Sequence, residues 1–401
     1  MLRAFFIINL LLLAMLSSYA GEFSGTLRVI PEYHRANQES LFFEPLHEFQ
    51  ELRQEFEGRY QDGGFNLLAT AISTLQEKPD NELILNELYY DTVVQEMSFG
   101  KKIMSWGVGY GFRPLDVVQQ EDRQIIYPIT LEGVPLIAWE HFTDKAALLF
   151  AYINPLRGIN SERLDEESVA FKYYYLWDNT DIHIVSRLSR RNKGEAGIGF
   201  TNIVNDNLEW HGSFLYLHRY YKRLNRLTES SSLLATDDPM IEEFFHSGIN
   251  AILGFTWSHS SGISLLGEFW FDNSAYSKNE WNKLRQLTES QLRLLETSQI
   301  PESAIYSNIA ASSQFFSQAN LLQQNLLLRL SIDGDTIDGA IDWLLTPQDG
   351  GWVLTSSLNY ELNRQRFEVG LRTFGGSSDS AFRAVTDDFI SYLSWTIAFA
   401  L

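Results

Sequence analysis

Residues 388–401 read DFISYLSWTIAFAL. Side chains alternate across a strand, so Phe389, Ser391, Leu393, Trp395, Ile397, Phe399 and Leu401 share one face. Asp388, Ile390, Tyr392, Ser394, Thr396, Ala398 and Ala400 share the other. The first face is almost wholly apolar and aromatic, while the second is small, polar or mixed. Such a face needs an apolar medium, either a second sheet or lipid.

The same period of two runs through most of the chain, which argues for strands over helices. ELRQEFEGRY (51–60) sets Leu52, Phe56 and Tyr60 against Arg53, Glu55, Glu57 and Arg59. TDIHIVSRLSRR (180–191) sets Ile182, Ile184 and Leu188 against His183, Arg187 and Arg191. RQRFEVGLRTF (364–374) sets Phe367, Val369 and Leu371 against Arg366, Glu368 and Arg372. A water-soluble sandwich would also show this alternation.

The connections decide between the two media. Every second one is short and turn-like: Gln61–Gly64, Thr143-Asp144, Asp178-Asn179, Asn205–Asn207, His259–Gly262, Asp333–Asp335 and Asn363-Arg364. Those between are mostly longer, notably 106–134, 154–167, 221–246, 273–318 and 375–388. Short/long alternation is the mark of a transmembrane antiparallel up-and-down β-barrel with periplasmic turns and long extracellular loops. An all-β chain of about 18 strands is expected, with 16 as the alternative; an even number returns both ends to the periplasmic side. The outer face of DFISYLSWTIAFAL then meets lipid, and its strand closes the barrel, because lipid cannot satisfy an open sheet edge. Trp210, Trp257, Trp343, Trp352 and Trp395 lie on apolar faces, where interfacial aromatics belong.

The N-terminal stretch MLRAFFIINLLLLAMLSSYA has a positive charge at Arg3, an apolar run from Ala4 to Leu16 and small residues after it. That is the grammar of a secretory signal peptide, so residues 1–20 are expected to be cleaved and 21–401 to form the barrel. The 401 residues include no cysteine, which excludes disulfides, thiolate metal sites and cysteine nucleophiles. The formal charge of −20 argues against nucleic acid as a partner. Outer-membrane lipid and lipopolysaccharide are the expected surroundings, in a Gram-negative bacterium.

A barrel of this size encloses more space than its own side chains fill. The expected lumen-lining residues carry both signs: Arg53, Glu55, Glu57, Arg59, Glu87, Asp91, Arg187, Arg191, Arg219, Glu268, Asp338, Asp342, Arg366, Glu368 and Arg372. Closely spaced opposite charges make a transverse field and modest ion selectivity. The same residues would also brace the wall as ion pairs, and both roles stay open.

The least generic connection is GKKIMSWGVGYGFRPLDVVQQEDRQIIYPITLEGVPL (100–136). Gly107, Gly109 and Gly111 alternate but do not spell a dinucleotide fingerprint. Alternating glycine suits close packing of backbone on a wall. Trp106, Arg113, Asp116, Glu121, Asp122 and Arg123 are the candidate residues of a constriction loop folded into the lumen, with an external cap as the alternative. In 273–318, Trp281, Leu284, Gln291, Leu294 and Leu295 recur at helical spacing, as a lid or plug over the mouth or as an ordered surface loop.

Residues 82–125 resemble the GRQ…WG…NPxD segment of outer-membrane porin-like and exopolysaccharide-associated barrel families. Lys101, Lys102, Trp106, Gly107, Pro114 and Asp116 match the pattern, and Arg113 stands where Asn is commoner. The resemblance implies a channel or an export barrel and names no solute.

Catalysis has little support. His211, Ser213 and His183 share the inward face, but strand alternation alone produces such groupings, and no GxSxG or HExxH occurs. DGDTIDG (333–339) lacks the ligands of a calcium loop. Neither cofactor nor metal is expected. The reading is a porin-like channel for passive diffusion of small hydrophilic solutes. The alternative is a loop-plugged structural barrel that binds a partner in an envelope or exopolysaccharide export assembly.

Overall fold

The computed structural model describes residues 21–42, 49–75, 80–92, 94, 96–119, 131–154 and 166–400. The strands are β1 (Glu22–Ala36), β2 (Phe49–Asp62), β3 (Phe65–Leu75), β4 (Asp80–Thr92), β5 (Met97–Lys102), β6 (Val134–Phe142), β7 (Ala146–Ile153), β8 (Ser168–Trp177) and β9 (Thr180–Ser189). They continue as β10 (Lys193–Asn205), β11 (Leu208–Asn225), β12 (Met240–Ser258), β13 (Ile263–Asp272), β14 (Gln324–Ile332), β15 (Ile337–Thr346), β16 (Gly351–Leu362), β17 (Gln365–Gly375) and β18 (Asp387–Ala400). Each pairs antiparallel with its sequence neighbour, and β1 pairs with β18, which closes an 18-stranded barrel.

The outside is apolar. Leu253, Leu330, Leu393 and Val369 are each about half exposed, as are Phe269 and Ile341. Trp177, Trp210, Trp257 and Trp395 stand outward within a few residues of the short turns, with Phe255 against Trp210 and Phe367 against Trp395. This inverts a soluble protein, in which large exposed apolar surface is confined to small patches. A continuous apolar band flanked by aromatics is what a lipid bilayer accepts. The outward face of 388–400 belongs to this band, while Leu401 lies outside the described residues.

The structure differs from the sequence expectation where strands leave the apolar belt. β11 runs to Asn225, past 220, and β12 begins at Met240 instead of 247. Pairs such as Arg223↔Glu242 and Lys222↔Glu243 fill this extension, and no face there stays apolar to signal a strand. Ser247 adopts φ +62°, and the inward face changes parity beside it. Leu217 belongs to the interior cluster below, whereas above it Tyr220 and Lys222 point inward. β5 ends at Lys102 rather than 105, because Ile103 donates its N–H to the Glu87 carboxylate (3.1 Å) and leaves the sheet.

The connection 273–318 contains α1 (Lys278–Thr297) and α2 (Glu302–Ser313). Ser277 and Glu280 form a reciprocal capping box that starts α1. Trp281, Leu284, Ile305 and Phe315 are buried with Phe42, Tyr276 and Phe382. This cluster reaches the inward-facing Leu344, Val353 and Phe374, so the hairpin sits within the rim that carries the long connections.

Candidate functional site: a loop across the lumen

Small residues on one wall make room for the loop. Ala138 on β6, Ala151 on β7, Ala170 on β8 and Val185 on β9 face inward and are buried against Met104, Trp106, Leu115, Val117 and Val118. On β10 the inward positions are Gly197 and Gly199. A Cβ at either would lie 2.5 or 2.8 Å from a methyl group of Leu115. Leu115 is wholly buried there, so the loop fills this side of the lumen with an apolar core.

The loop is held in shape by its own polar groups. Asp116 accepts the backbone N–H of Trp106 and of Gly107 (2.5 Å) and the hydroxyl of Ser105 (3.1 Å). Burial pushes the Asp116 carboxyl above its ordinary value, against the pull of those donors and of Arg113. Arg113 donates to the Gly109 carbonyl (2.9 Å) and the Ser105 hydroxyl (3.1 Å). Gln119 ties the outgoing limb to the returning one, accepting from Met104 N–H (2.8 Å) and donating to Glu132 O (2.9 Å). A bulge on β4 leaves Asn86 as the extra residue opposite Leu68 and Ala69; it takes the Thr70 hydroxyl (2.7 Å) and holds the returning limb at Leu131 O and Gly133 N.

The tip reaches the far wall. Tyr110 and Gly111 each donate a backbone N–H to Glu268 on β13 (2.6 Å), and the Tyr110 hydroxyl bonds Arg329 on β14 (2.6 Å). Phe112 stacks on Trp270, and a Cβ at Gly111 would press Leu327 and Trp270. β14 lies half-way round the 18-membered ring from β5, where the loop is rooted. The loop therefore spans the lumen, and its apolar side packs on the wall from β6 to β11.

The wall from β14 through β18 to β4 carries the polar groups. Arg329 pairs with Asp342 (2.7 Å), and Arg372 donates to the Thr355 hydroxyl (3.0 Å). Arg366 lies 3.4 Å from Glu368 and 3.9 Å from Glu361, and the Tyr392 hydroxyl bonds Glu368. Glu55 bridges Arg28 (2.7 Å) and Arg53 (2.6 Å), with Glu57 beside them in one small cavity. Arg59 faces Glu87 at 3.7 Å, and Asp91 faces Lys102 at 3.3 Å. A cavity of about 340 Å³ lies beside the loop tip, between Tyr110, Trp270, Leu327, Asp342, Arg372 and Phe374.

The remaining sequence-predicted residues stand elsewhere. Arg187 is buried between Glu195 (3.2 Å) and Glu166 (3.4 Å). Arg191 pairs with Glu242 and covers the Tyr221 ring, and Arg219 covers Phe244, so both lie on the side of the upper strands opposite Lys222. Asp338 accepts the N–H of Gly334 in a short turn. Glu121, Asp122 and Arg123 lie outside the described residues. Sequence reasoning passed over Arg28, Tyr110 and Tyr392. Arg28 sits in alternation with Thr26 and Ile30, and Tyr110 between two glycines, so a signal existed for both.

No family model matches the chain, and no curated protein matches it. Solved structures do. The crystal structure of Acinetobacter baumannii OccAB1 is similar over 95% of this chain and 97% of its own, at 8% identity and a TM-score of 0.55. Pseudomonas aeruginosa OccK3 (OpdO) is similar over 95% and 96%, at 10% identity and a TM-score of 0.55. The outer membrane protein opdK from Pseudomonas aeruginosa is similar over 95% and 99%, at 9% identity and a TM-score of 0.55. At this identity the likeness shows a shared fold, and this chain has the closed barrel architecture of those Occ-type proteins.

Proposed function

We propose that the chain is an outer-membrane channel that passes small hydrophilic solutes by diffusion, with residues 1–20 serving as its export signal. The observation that carries this reading is the one-sided lumen. An apolar loop core packs on the β6–β11 wall, and the opposite wall keeps alternating Arg and Asp/Glu side chains facing the remaining space. Paired charges of both signs attract polar, hydrated solutes and give modest preference between ions. Trp106, Arg113 and Asp116 shape the constriction, and Arg53, Glu55, Glu57, Arg59, Asp342, Arg366, Glu368 and Arg372 line the path. The Occ-type proteins of similar fold include one described as an outer membrane protein, which agrees with the apolar belt and the signal-like N-terminus.

Single-channel recording of the refolded mature chain in planar bilayers tests the reading. Steady conductance is expected, and deletion of 106–119 should raise it. Silence of both proteins, with folding verified by heat-modifiable gel mobility, would overturn the channel and favour a barrel that acts only with an envelope partner.

A further inference from the structure

The geometry points to Glu268 as the positioning residue that latches the loop tip to the far wall and so sets the width of the passage, an inference resting on the channel reading above. Its side chain is fully buried, yet three donors converge on it. Tyr110 N–H reaches Oε1 and Gly111 N–H reaches Oε2, each at 2.6 Å, and His211 Nε2 lies 2.8 Å from Oε1. Two of these come from the loop and one from the wall, so a single carboxylate joins them.

The wall is built to permit this. His211 on β11, Gly254 on β12 and Glu268 on β13 form one cross-strand row. His211 and Glu268 are two strands apart, and their side chains meet only by passing over the strand between. A Cβ at position 254 would lie 2.4 Å from His211 Nε2 and 2.7 Å from Glu268 Cγ. Glycine at this ordinary extended position is therefore explained by the contact it allows, not by a turn. His211 orients the carboxylate, whose two oxygens then receive consecutive N–H groups of the Gly109–Gly111 tip. His211 reaches only Oε1, so bracing of the wall alone would leave Oε2 without a donor, and the loop supplies one through Gly111.

Three variants test the latch: Glu268→Ala, Glu268→Gln and Gly254→Ala, with outward-facing Leu253→Ala as the control. Amide exchange at Tyr110 and Gly111 reports the tip, and conductance reports the passage. Losing hydrogen bonds to a buried carboxylate should lower protection of these two amides in Glu268→Ala by about ten- to a hundredfold. Unitary conductance and open-channel noise should rise with it. Glu268→Gln keeps one acceptor oxygen and should fall between. Gly254→Ala leaves Glu268 and the loop chemically intact, and should still loosen the tip by separating His211 from the carboxylate. Unchanged protection in Glu268→Ala and Gly254→Ala, with the barrel folded, overturns the latch. Lost protection with unchanged conductance overturns its control of the passage. If the unsubstituted protein does not conduct, the channel reading fails, and exchange alone decides whether Glu268 positions the tip.

Discussion

Asp116 and Gly197 carry the loop's fold at single positions, by opposite means. Asp116 supplies acceptors for donors that would otherwise be buried bare. Asp116→Ala should cost about 1–3 kcal/mol in loop docking, because it leaves backbone N–H groups without partners. Loss of amide protection at Trp106 and Gly107 would measure it. Gly197 acts by absence. Gly197→Val places atoms where Leu115 packs, and overpacking of this kind costs about 1–3 kcal/mol. The barrel should still form and the loop should be displaced, read as unchanged heat-modifiable mobility with raised conductance. Asp116 was legible in the sequence as part of a distinctive segment, but its partners were not. The donors are backbone groups nine and ten residues away, and no side-chain pattern announces them. The glycines of β10 were still less legible, since only the position of Leu115 gives them meaning.

Among the elements, the strands within the apolar belt were the most legible, because lipid on one side and water on the other impose strict alternation. Leu253→Arg, on the lipid face of β12, should destabilise the barrel by about 2–4 kcal/mol if it lies near the bilayer midplane. Urea unfolding in liposomes would measure this. Above the belt that constraint ends. There the upper parts of β11 and β12 were hidden, since both faces carry charge. The helix α1 was readable from Trp281 and Leu284, but its seat was not: the hairpin packs on loop residues such as Phe42 and Phe382, distant in sequence. Its N-terminus is tied down by charge. Burial raises the Glu280 carboxyl, but the Lys222 ammonium and the Ser277 donors outweigh it and hold the group below its ordinary 4.5. A lowered value in the docked state means the contribution is present above that ordinary value and is lost as pH falls through the docked one. The hairpin should therefore become protease-sensitive only below pH 4.5, before the barrel unfolds. Lys222→Met should remove the ion-pair part of that acid transition.

For the whole molecule, closure followed from the sequence because turn lengths alternate, which favoured 18 strands over 16; the structure has 18. Which half of the lumen is filled did not follow, since that depends on where the loop lands half a ring away. The open wall carries ion pairs, so selectivity should be shifted by removing one partner. Arg329→Ala removes the hydrogen-bonded partner of Asp342 and leaves it only Arg372 across the cavity, so the reversal potential in a salt gradient should move toward cations. Arg28→Ala should change it less, because Glu55 keeps Arg53. The contact between Tyr110 and Glu268 joins residues 158 positions apart. Contacts that distant form late, because long chain segments must be ordered before they are rewarded. The latch can exist only once β13 stands in the wall and the loop rooted at β5 can reach it. A newly inserted barrel would then pass through an interval in which its wall is complete and its partition is not, and for that interval the membrane is leakier than the mature protein would leave it.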